Sequence, residues 1–211
     1  MTSALHTERL DAVMAAVATT GARRIADLGC GDGDLLVRLA LLARMTRLVG
    51  VDTDRAALLR AQARLAEMPT GLVTLVEASL IAAAPRLPQI DCAVLVEVIE
   101  HLDPARLSAL ETAVFARMRP AHVILTTPNA EFNPLLGVPA HRMRHPGHRF
   151  EWTRARFARW AGAVALRHGY DLHTRDIAGH HPTAGGASQM AVFARSASPP
   201  REAGAPPAPP A

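Results

Sequence analysis

Short apolar runs alternate along the chain with stretches in which apolar residues recur every three or four positions. The runs predict buried parallel strands, and the periodic stretches predict amphipathic helices. Strands are predicted at residues 24–28, 48–52, 72–77, 90–96, 123–126, 170–175 and 189–194, and helices at 5–19, 35–43, 55–67, 104–118 and 154–168. This alternation is typical of an α/β fold in which helices cover a doubly wound sheet.

Two stretches break the pattern. Residues 127–153 have no regular period, and a loop of that length in a compact domain is usually functional or disordered. Its content of Pro, His, Arg and Asn favours a functional loop. Residues 196–211 are rich in Pro and Ala, which predicts a disordered tail. We therefore expect one domain over residues 1–195, followed by that tail.

Composition bears on the location of the protein. Apolar residues make up 49% of the chain, yet there is no run of eighteen that could cross a membrane. The first residues lack the basic segment and apolar stretch of a signal peptide. Cys30 and Cys92 lie in glycine-rich or apolar contexts, so we interpret them as free thiols. Together these features predict a cytoplasmic protein.

Positive charge is concentrated in one part of the chain. The net charge is +4, the isoelectric point is about 10.3, and all 23 basic residues are Arg. Arginine presents a planar fork of donors that suits phosphate groups. The charge is compatible with an anionic partner but does not by itself identify a nucleic acid. Six arginines occur within eighteen residues: Arg142, Arg144, Arg149, Arg154, Arg156 and Arg159.

A glycine loop, residues 29–33, follows the first predicted strand. It reads G-x-G-x-G, so its third glycine comes earlier than in the dinucleotide fingerprint G-x-G-x-x-G. Acidic residues on both sides would repel a pyrophosphate and suit a cofactor with a cationic amino and sulfonium end. An acid also ends the second strand, where a carboxylate can hold ribose hydroxyls. The pattern favours S-adenosylmethionine over NAD, and the predicted contacts are Asp27, Gly29, Gly31, Asp52 and Thr53.

The fourth predicted strand leads directly into Glu97-Val98-Ile99-Glu100-His101. If this segment is helical, Glu97, Glu100 and His101 lie on one face. Two carboxylates and an imidazole suit a divalent cation such as Mg²⁺, Mn²⁺ or Co²⁺. The alternative is a solvated first helical turn, where acidic residues are favoured by the helix dipole. The position at the carboxyl end of a strand in an open α/β sheet favours a ligand site.

The glycine loop and Gly50-Val51-Asp52 resemble the first motif of class I methyltransferases and its acidic partner. Four further blocks resemble, in order, the motifs of the HEN family of RNA 3′-terminal 2′-O-methyltransferases. The resemblance covers about residues 24–195, and its fold is Rossmann-like and doubly wound, with a seven-stranded sheet. The four blocks are residues 97–101, 127–133, 144–154 and 188–193.

The resemblance implies roles for particular residues. The metal ligands, which are also the catalytic residues, would be Glu97, Glu100, His101 and His148, with His145 as a competitor for the last position. Ser79 and Leu80 would contact the adenine. The RNA phosphates would be bound by Arg142, Arg144, Arg149 and Arg154.

The chain departs from the family pattern at two places. Gly147 occupies a position where an Asp is usual, which affects support of the neighbouring metal ligand. The segment 81–84 replaces a usual Tyr and Asp after Leu80, which weakens the adenine assignment.

The implied reaction is metal-dependent transfer of a methyl group from S-adenosylmethionine to the 2′-hydroxyl of the last RNA nucleotide. The substrate would be an RNA 3′ end with free 2′- and 3′-hydroxyls, because one ion would bind both oxygens. The partner could be a separately encoded RNA-repair kinase-phosphatase-ligase, and no membrane is involved. One alternative is a metal-dependent O-methyltransferase for a small vicinal diol or catechol, and another is a non-catalytic subunit that binds RNA ends.

Overall fold

Seven strands form one mixed sheet in the order β3-β2-β1-β4-β5-β7-β6 in a computed structural model, which describes residues 4–87 and 89–197. The neighbouring pairs from β3 to β5 are parallel, and β7 runs antiparallel to both β5 and β6. This arrangement confirms the predicted seven-stranded α/β fold. The strands are β1 Arg24–Leu28, β2 Arg47–Asp52, β3 Val73–Glu77, β4 Cys92–Val96, β5 His122–Pro128, β6 Tyr170–Ile177 and β7 Ser188–Arg195.

Helices cover both faces of the sheet. One face packs on a buried cluster that includes Leu80, Leu107 and Phe157, and the other packs on a cluster that includes Leu10 and Leu36. The sheet therefore lies between two apolar layers, which explains why its central strands are continuous apolar runs. The helices are α1 Ala4–Thr20, α2 Asp34–Ala40, α3 Arg55–Arg64, α4 Leu80–Ala83, α5 Leu107–Glu111 and α6 Arg154–His168.

The helix predicted over residues 104–118 is divided into three segments. A 3₁₀ turn at Pro104–Arg106 precedes α5, and a π-helix at Thr112–Met118 follows it. The apolar spacing that predicted one α-helix does not distinguish these windings, which differ in hydrogen-bond span. The predicted helices 35–43 and 55–67 also end earlier, at Ala40 and Arg64.

The irregular stretch after β5 contains a 3₁₀ helix at Ala130–Leu136, which the sequence pattern did not predict. Of the predicted tail, only Ser196 and Ala197 belong to the described residues. Ser196 donates hydrogen bonds to Gly169 O and Asp171 Oδ1. Within residues 4–87 and 89–197, no helix combines the length and apolar character needed to cross a membrane.

The strand order creates a crevice between β1 and β4. The chain proceeds from β1 outward to β3 and then returns to place β4 on the other side of β1. Ligands bind at such a switch point, beyond the carboxyl ends of the strands. Gly29 follows β1 with φ of +89°, and a Cβ there would come within 2.6 Å of Val98 Cγ2. The loops after β1 and β4 therefore pack tightly only because residue 29 is glycine.

Candidate active site

A cavity of about 450 Å³ opens at this switch point. Five of the residues predicted to bind the cofactor line it, whereas Asp27 and Gly31 do not. Glu97 and His101 also line it, whereas the other two predicted metal ligands, Glu100 and His148, do not, so the two predicted sites meet in one cavity. The five predicted cofactor residues are Gly29, Asp52, Thr53, Ser79 and Leu80.

Asp52 is positioned by backbone groups. Its carboxylate accepts hydrogen bonds from the N–H of Gly31 at 2.8 Å and from the N–H of Asp54 at 2.9 Å. Asp27 is almost completely buried, and burial raises its pKa to about 7, with further contributions from Asp52 and Asp34. Asp27 is thus buried within β1, just before the glycine loop, while Asp52 lines the cavity.

The other acids of the glycine loop have arginine partners. Asp32 pairs with Arg60 at 2.8 Å, and Asp34 pairs with Arg64 at 2.7 Å. Both arginines come from α3, so these ion pairs hold the loop against that helix. The carboxylate of Asp52, which receives only backbone donors in these contacts, is better placed than they are to meet a ligand.

Glu97 adopts a left-handed backbone conformation, with φ of +55°. This conformation is uncommon for a residue other than glycine and often marks a functional site. Its carboxylate is surrounded by donors. The hydroxyl of Thr126 donates to Oε1 at 2.9 Å, the hydroxyl of Ser188 donates to Oε2 at 3.2 Å, and Arg9 forms an ion pair at 3.4 Å. Strands β5 and β7 and helix α1 therefore all position this side chain.

Glu100, unlike Glu97, has few hydrogen-bond donors around its carboxylate. It is fully buried, its Oε2 accepts a hydrogen bond from the hydroxyl of Thr127 at 3.0 Å, and its Oε1 has no hydrogen-bond partner. Burial raises its pKa well above the ordinary value, and the nearby charge of Glu97 adds to this effect. A buried carboxylate oxygen without a partner is costly. Its presence is explained if a cation completes the site, and this orphaned oxygen is our evidence that the residues fit a divalent ion.

The loop at residues 142–150 docks on the turn that contains Glu100 and His101. The N–H of Arg149 donates to Glu100 O at 2.7 Å, and Nδ1 of His101 is 3.2 Å from Gly147 O. The contact brings His148 beside His101, with ring centroids 4.8 Å apart. The structure thus assembles residues that are 47 positions apart in sequence.

His101 and His148 are oriented for binding through Nε2. Nδ1 of His101 must donate its proton to Gly147 O, which can only accept. Nδ1 of His148 lies 2.5 Å from the carboxylate of Glu151 and donates to it. In each ring the lone pair is then on Nε2, which is the arrangement of a metal-binding histidine with an oriented partner. Burial lowers the pKa of both imidazoles and so favours the neutral form that binds metal.

His145 lies in the same cluster. One ring nitrogen from each of His101, His145 and His148 lies within 4.8 Å of the other two. Among the described residues, no other group of three or more His, Cys, Asp or Glu side chains has its ligand atoms this close together, so neither Glu97 nor Glu100 belongs to such a group. The proposed ligand set of Glu97, Glu100, His101 and His148 therefore requires the carboxylates and imidazoles to move closer when an ion binds.

The four arginines predicted to contact RNA fall into two pairs. Arg142 and Arg149 are exposed at the loop surface. Arg144 is partly buried, and its guanidinium donates to Asn133 Oδ1 and to the carbonyl oxygens of Asn129 and Ala187. These bonds occupy most of its donors, so Arg144 is built into the fold.

Arg154 is also engaged within the protein. Its guanidinium pairs with Glu131 at 2.7 Å and with Asp176 at 3.3 Å, and it donates to Thr183 O. For Arg144 and Arg154 these contacts favour a role in holding the loops together over the predicted contact with phosphate.

Sequence reasoning did not single out Arg9, Ser188 or Glu151 as site residues. Arg9 lies in the N-terminal helix, whose apolar spacing predicts a helix but indicates no role in a site. Ser188 and Glu151 fall inside blocks that carried the family resemblance, and their positions within those blocks were the available signal. The side chain of Glu151 is nearly completely buried and also accepts hydrogen bonds from Asn133 Nδ2 and from the N–H of Arg144.

Comparison with known proteins identifies the family of this chain. A family described as "Methyltransferase domain" matches residues 26–121. The small RNA 2′-O-methyltransferase of Gallus gallus is 33% identical over 208 residues, which are 92% of this chain and 54% of that protein. The chain therefore spans about half the length of this curated relative.

Two solved structures extend the comparison. The methyltransferase domain of a bacterial Hen1, CtHen1, is 37% identical with a TM-score of 0.81, and the alignment covers 92% of this chain and 100% of that one. The small RNA methyltransferase HEN1 is 30% identical with a TM-score of 0.82, covering 92% of this chain and 26% of that one. Because the chain matches the whole bacterial domain at this identity, it belongs to the Hen1 family of methyltransferase domains.

Proposed function

We propose that the protein transfers a methyl group from S-adenosylmethionine to the 2′-hydroxyl of the 3′-terminal nucleotide of RNA. The observation that carries the proposal is the shared cavity: Glu97 and His101 line the same space as the glycine loop and Asp52. A cofactor and a metal-bound hydroxyl group can be neighbours only if their sites adjoin in this way. The names of the Gallus gallus relative and of the HEN1 structure support RNA as the substrate.

The cofactor's parts are proposed to bind as follows. Asp52 accepts the ribose hydroxyls, and Thr53 lies beside it in the cavity wall. Ser79 and Leu80 line the part of the cavity proposed for the adenine. Asp27 is buried in β1 and does not line the cavity, so its proposed role is to support the glycine loop that follows β1. When bound, S-adenosylmethionine supplies an electrophilic methyl group.

A divalent cation would be held by Glu97, Glu100, His101 and His148. Two carboxylates with two imidazoles suit Mn²⁺ or Co²⁺, and carboxylates also suit Mg²⁺. When bound, such an ion supplies positive charge that lowers the pKa of a coordinated hydroxyl group. The protein's own contribution is orientation: Glu151 fixes the ring of His148, and Thr127 fixes one oxygen of Glu100.

The exposed Arg142 and Arg149 are proposed to bind phosphates near the RNA end. Phosphate contacts position the strand without reading its sequence. We therefore expect weak dependence on base identity and a steep loss of RNA affinity with rising salt.

Methylation of a small catechol-like diol is the competing function, because a divalent ion could bind and activate the two neighbouring hydroxyl groups of such a diol in the same way. A non-catalytic RNA-end-binding subunit is less well supported, since the proposed ligands are all present. The proposed partner, an RNA-repair kinase-phosphatase-ligase, can be tested by co-purification of this chain with such an enzyme.

The test is a set of labelled oligonucleotides with 3′-hydroxyl, 3′-phosphate, 3′-deoxy or 2′-deoxy ends, incubated with S-adenosylmethionine and Mn²⁺. Only the 3′-hydroxyl RNA should accept methyl groups if both terminal hydroxyls bind the ion. Equal rates on the 3′-phosphate end would refute binding through two oxygens. Methylation of catechol without methylation of any RNA would establish the competing function.

A further inference from the structure

We infer that His145 is a hydrogen-bond donor to an anionic oxygen of the RNA end, and that it is not a third imidazole ligand for the metal ion. The inference rests on the proposed function and adds a substrate-binding residue to it. Its starting point is the cluster of His101, His145 and His148, in which proximity alone would make all three rings ligands.

The hydrogen bonds at Nδ1 separate His145 from the other two rings. The backbone N–H of Gly147 donates to Nδ1 of His145 at 3.0 Å, so this nitrogen is an acceptor. A neutral imidazole with an accepting Nδ1 carries its proton on Nε2. His101 and His148 have the reverse arrangement, because their Nδ1 atoms donate to Gly147 O and to the Glu151 carboxylate. His145 therefore offers an N–H group where the other two offer a lone pair.

Gly147 is the residue that permits this arrangement. A Cβ at position 147 would lie 3.0 Å from Nδ1 of His145 and 3.2 Å from Nδ1 of His101. Those distances are shorter than an ordinary van der Waals contact, so a larger residue would press on both rings. The glycine thus allows its own N–H to reach His145 while its carbonyl oxygen holds His101.

The surroundings of His145 suit an anion. His145 is exposed, and it lines a second cavity of about 560 Å³ together with Arg142, Met143, Arg144, Pro146 and His148. No acidic side chain is among these lining residues, all of which the structure describes. Arg142 is exposed beside it and adds positive charge. His145 therefore presents an N–H donor beside arginine side chains and next to the proposed metal site. This position suits a phosphate oxygen close to the terminal ribose.

The experiment compares His145→Ala and His145→Gln with the wild-type protein. Gln keeps an N–H donor near the position of Nε2 but is a poor replacement for an imidazole ligand. RNA affinity is measured by fluorescence anisotropy with a 3′-hydroxyl oligonucleotide at fixed salt, without S-adenosylmethionine. Mn²⁺ affinity is measured separately by electron paramagnetic resonance. His173→Ala, an exposed histidine on β6, is the matched control.

We expect His145→Ala to weaken RNA binding about tenfold, the loss typical of one hydrogen bond to a charged group. His145→Gln should recover most of that affinity, and both variants should bind Mn²⁺ within about twofold of the wild type. A tenfold loss of Mn²⁺ affinity in both variants would show that His145 is a ligand and overturn the inference. Unchanged RNA affinity in His145→Ala would also overturn it.

The two proposals fail in distinguishable ways. If the wild-type protein methylates RNA and His145→Ala binds RNA normally, only the role of His145 is wrong. If the wild-type protein neither binds nor methylates RNA, the proposed function is wrong.

Discussion

Replacement of Glu100 by Gln should stabilise the metal-free protein and remove its response to metal. Glu100 is fully buried, one of its oxygens has no partner, and the charge of Glu97 lies nearby. Burial and the charge of Glu97 raise the pKa of Glu100, so near neutral pH folding must either bury this charge or take up a proton, and both cost free energy. A neutral amide of the same shape keeps an oxygen for Thr127 and avoids that cost, while its NH₂ group takes the place of the unpaired Oε1, so we expect a net gain of about 1–2 kcal/mol. In a domain of this size that gain corresponds to about 2–8 °C in Tm.

The assay is thermal unfolding in EDTA and in excess Mn²⁺. The wild-type protein should gain about 2.7 kcal/mol when the ion is present at a hundred times its Kd. Glu100→Gln should not gain, because a ligand is missing. The variant should thus be the more stable protein in EDTA and the less stable one in Mn²⁺. A variant that melts below the wild type in EDTA, or that Mn²⁺ stabilises equally, would refute the reasoning.

Glu111 provides a matched control because it is a buried carboxylate with partners. Its oxygens accept hydrogen bonds from Trp160 Nε1 at 3.0 Å and from Arg167 Nη2 at 2.6 Å. Glu111→Gln should therefore lower the free energy of unfolding by about 1 kcal/mol. The opposite sign of the two Gln substitutions separates the cost of a buried carboxylate without cationic partners from a general effect of removing charge.

Three further changes have definite expected outcomes. Asp52→Ala should weaken binding of S-adenosylmethionine by about 1–3 kcal/mol, the cost of losing charged hydrogen bonds, and calorimetry that shows unchanged affinity would contradict the assignment. Glu151→Gln should weaken Mn²⁺ binding about 10–100-fold by loosening His148, with S-adenosylmethionine affinity unchanged, and resonance titration of Mn²⁺ checks this. Asp91→Asn should cost about 1 kcal/mol at pH 7, because Asp91 accepts hydrogen bonds from the side chain and backbone of Arg24. Those contacts hold the pKa of Asp91 below its ordinary value. Its contribution should therefore be complete above about pH 4 and disappear as the pH falls through the lowered pKa, which unfolding curves at pH 7 and pH 2 would show.

The sheet could be predicted because its signal is local. Strands β1 and β4 are short runs of mostly apolar residues, and they are followed by a glycine loop after Leu28 and by an acid after Val96. Helix α6 also began and ended as predicted, because Thr153 caps its start and Gly169 ends it. The π-helix at Thr112–Met118 was missed because its apolar residues are spaced much as in an α-helix.

The site could be predicted only in part. The types of residue after β4 indicated a metal, but the ion pair between Arg9 and Glu97 joins residues that are far apart in sequence. The inward roles of Arg144 and Arg154 also depend on acceptors from other segments, which a local charge cluster does not reveal. Tertiary contacts of this kind decide which charged residues face a ligand.

Mass spectrometry of RNA treated with the protein, S-adenosylmethionine and Mn²⁺ tests the proposed reaction most directly. Digestion to nucleosides, with the 3′-terminal nucleoside separated from the internal ones, locates the added methyl group. We predict one methyl group per strand, on the 2′ oxygen of the 3′-terminal ribose, and none when EDTA replaces Mn²⁺. Methyl groups on internal riboses or on bases, or an undiminished yield in EDTA, would contradict the proposed reaction.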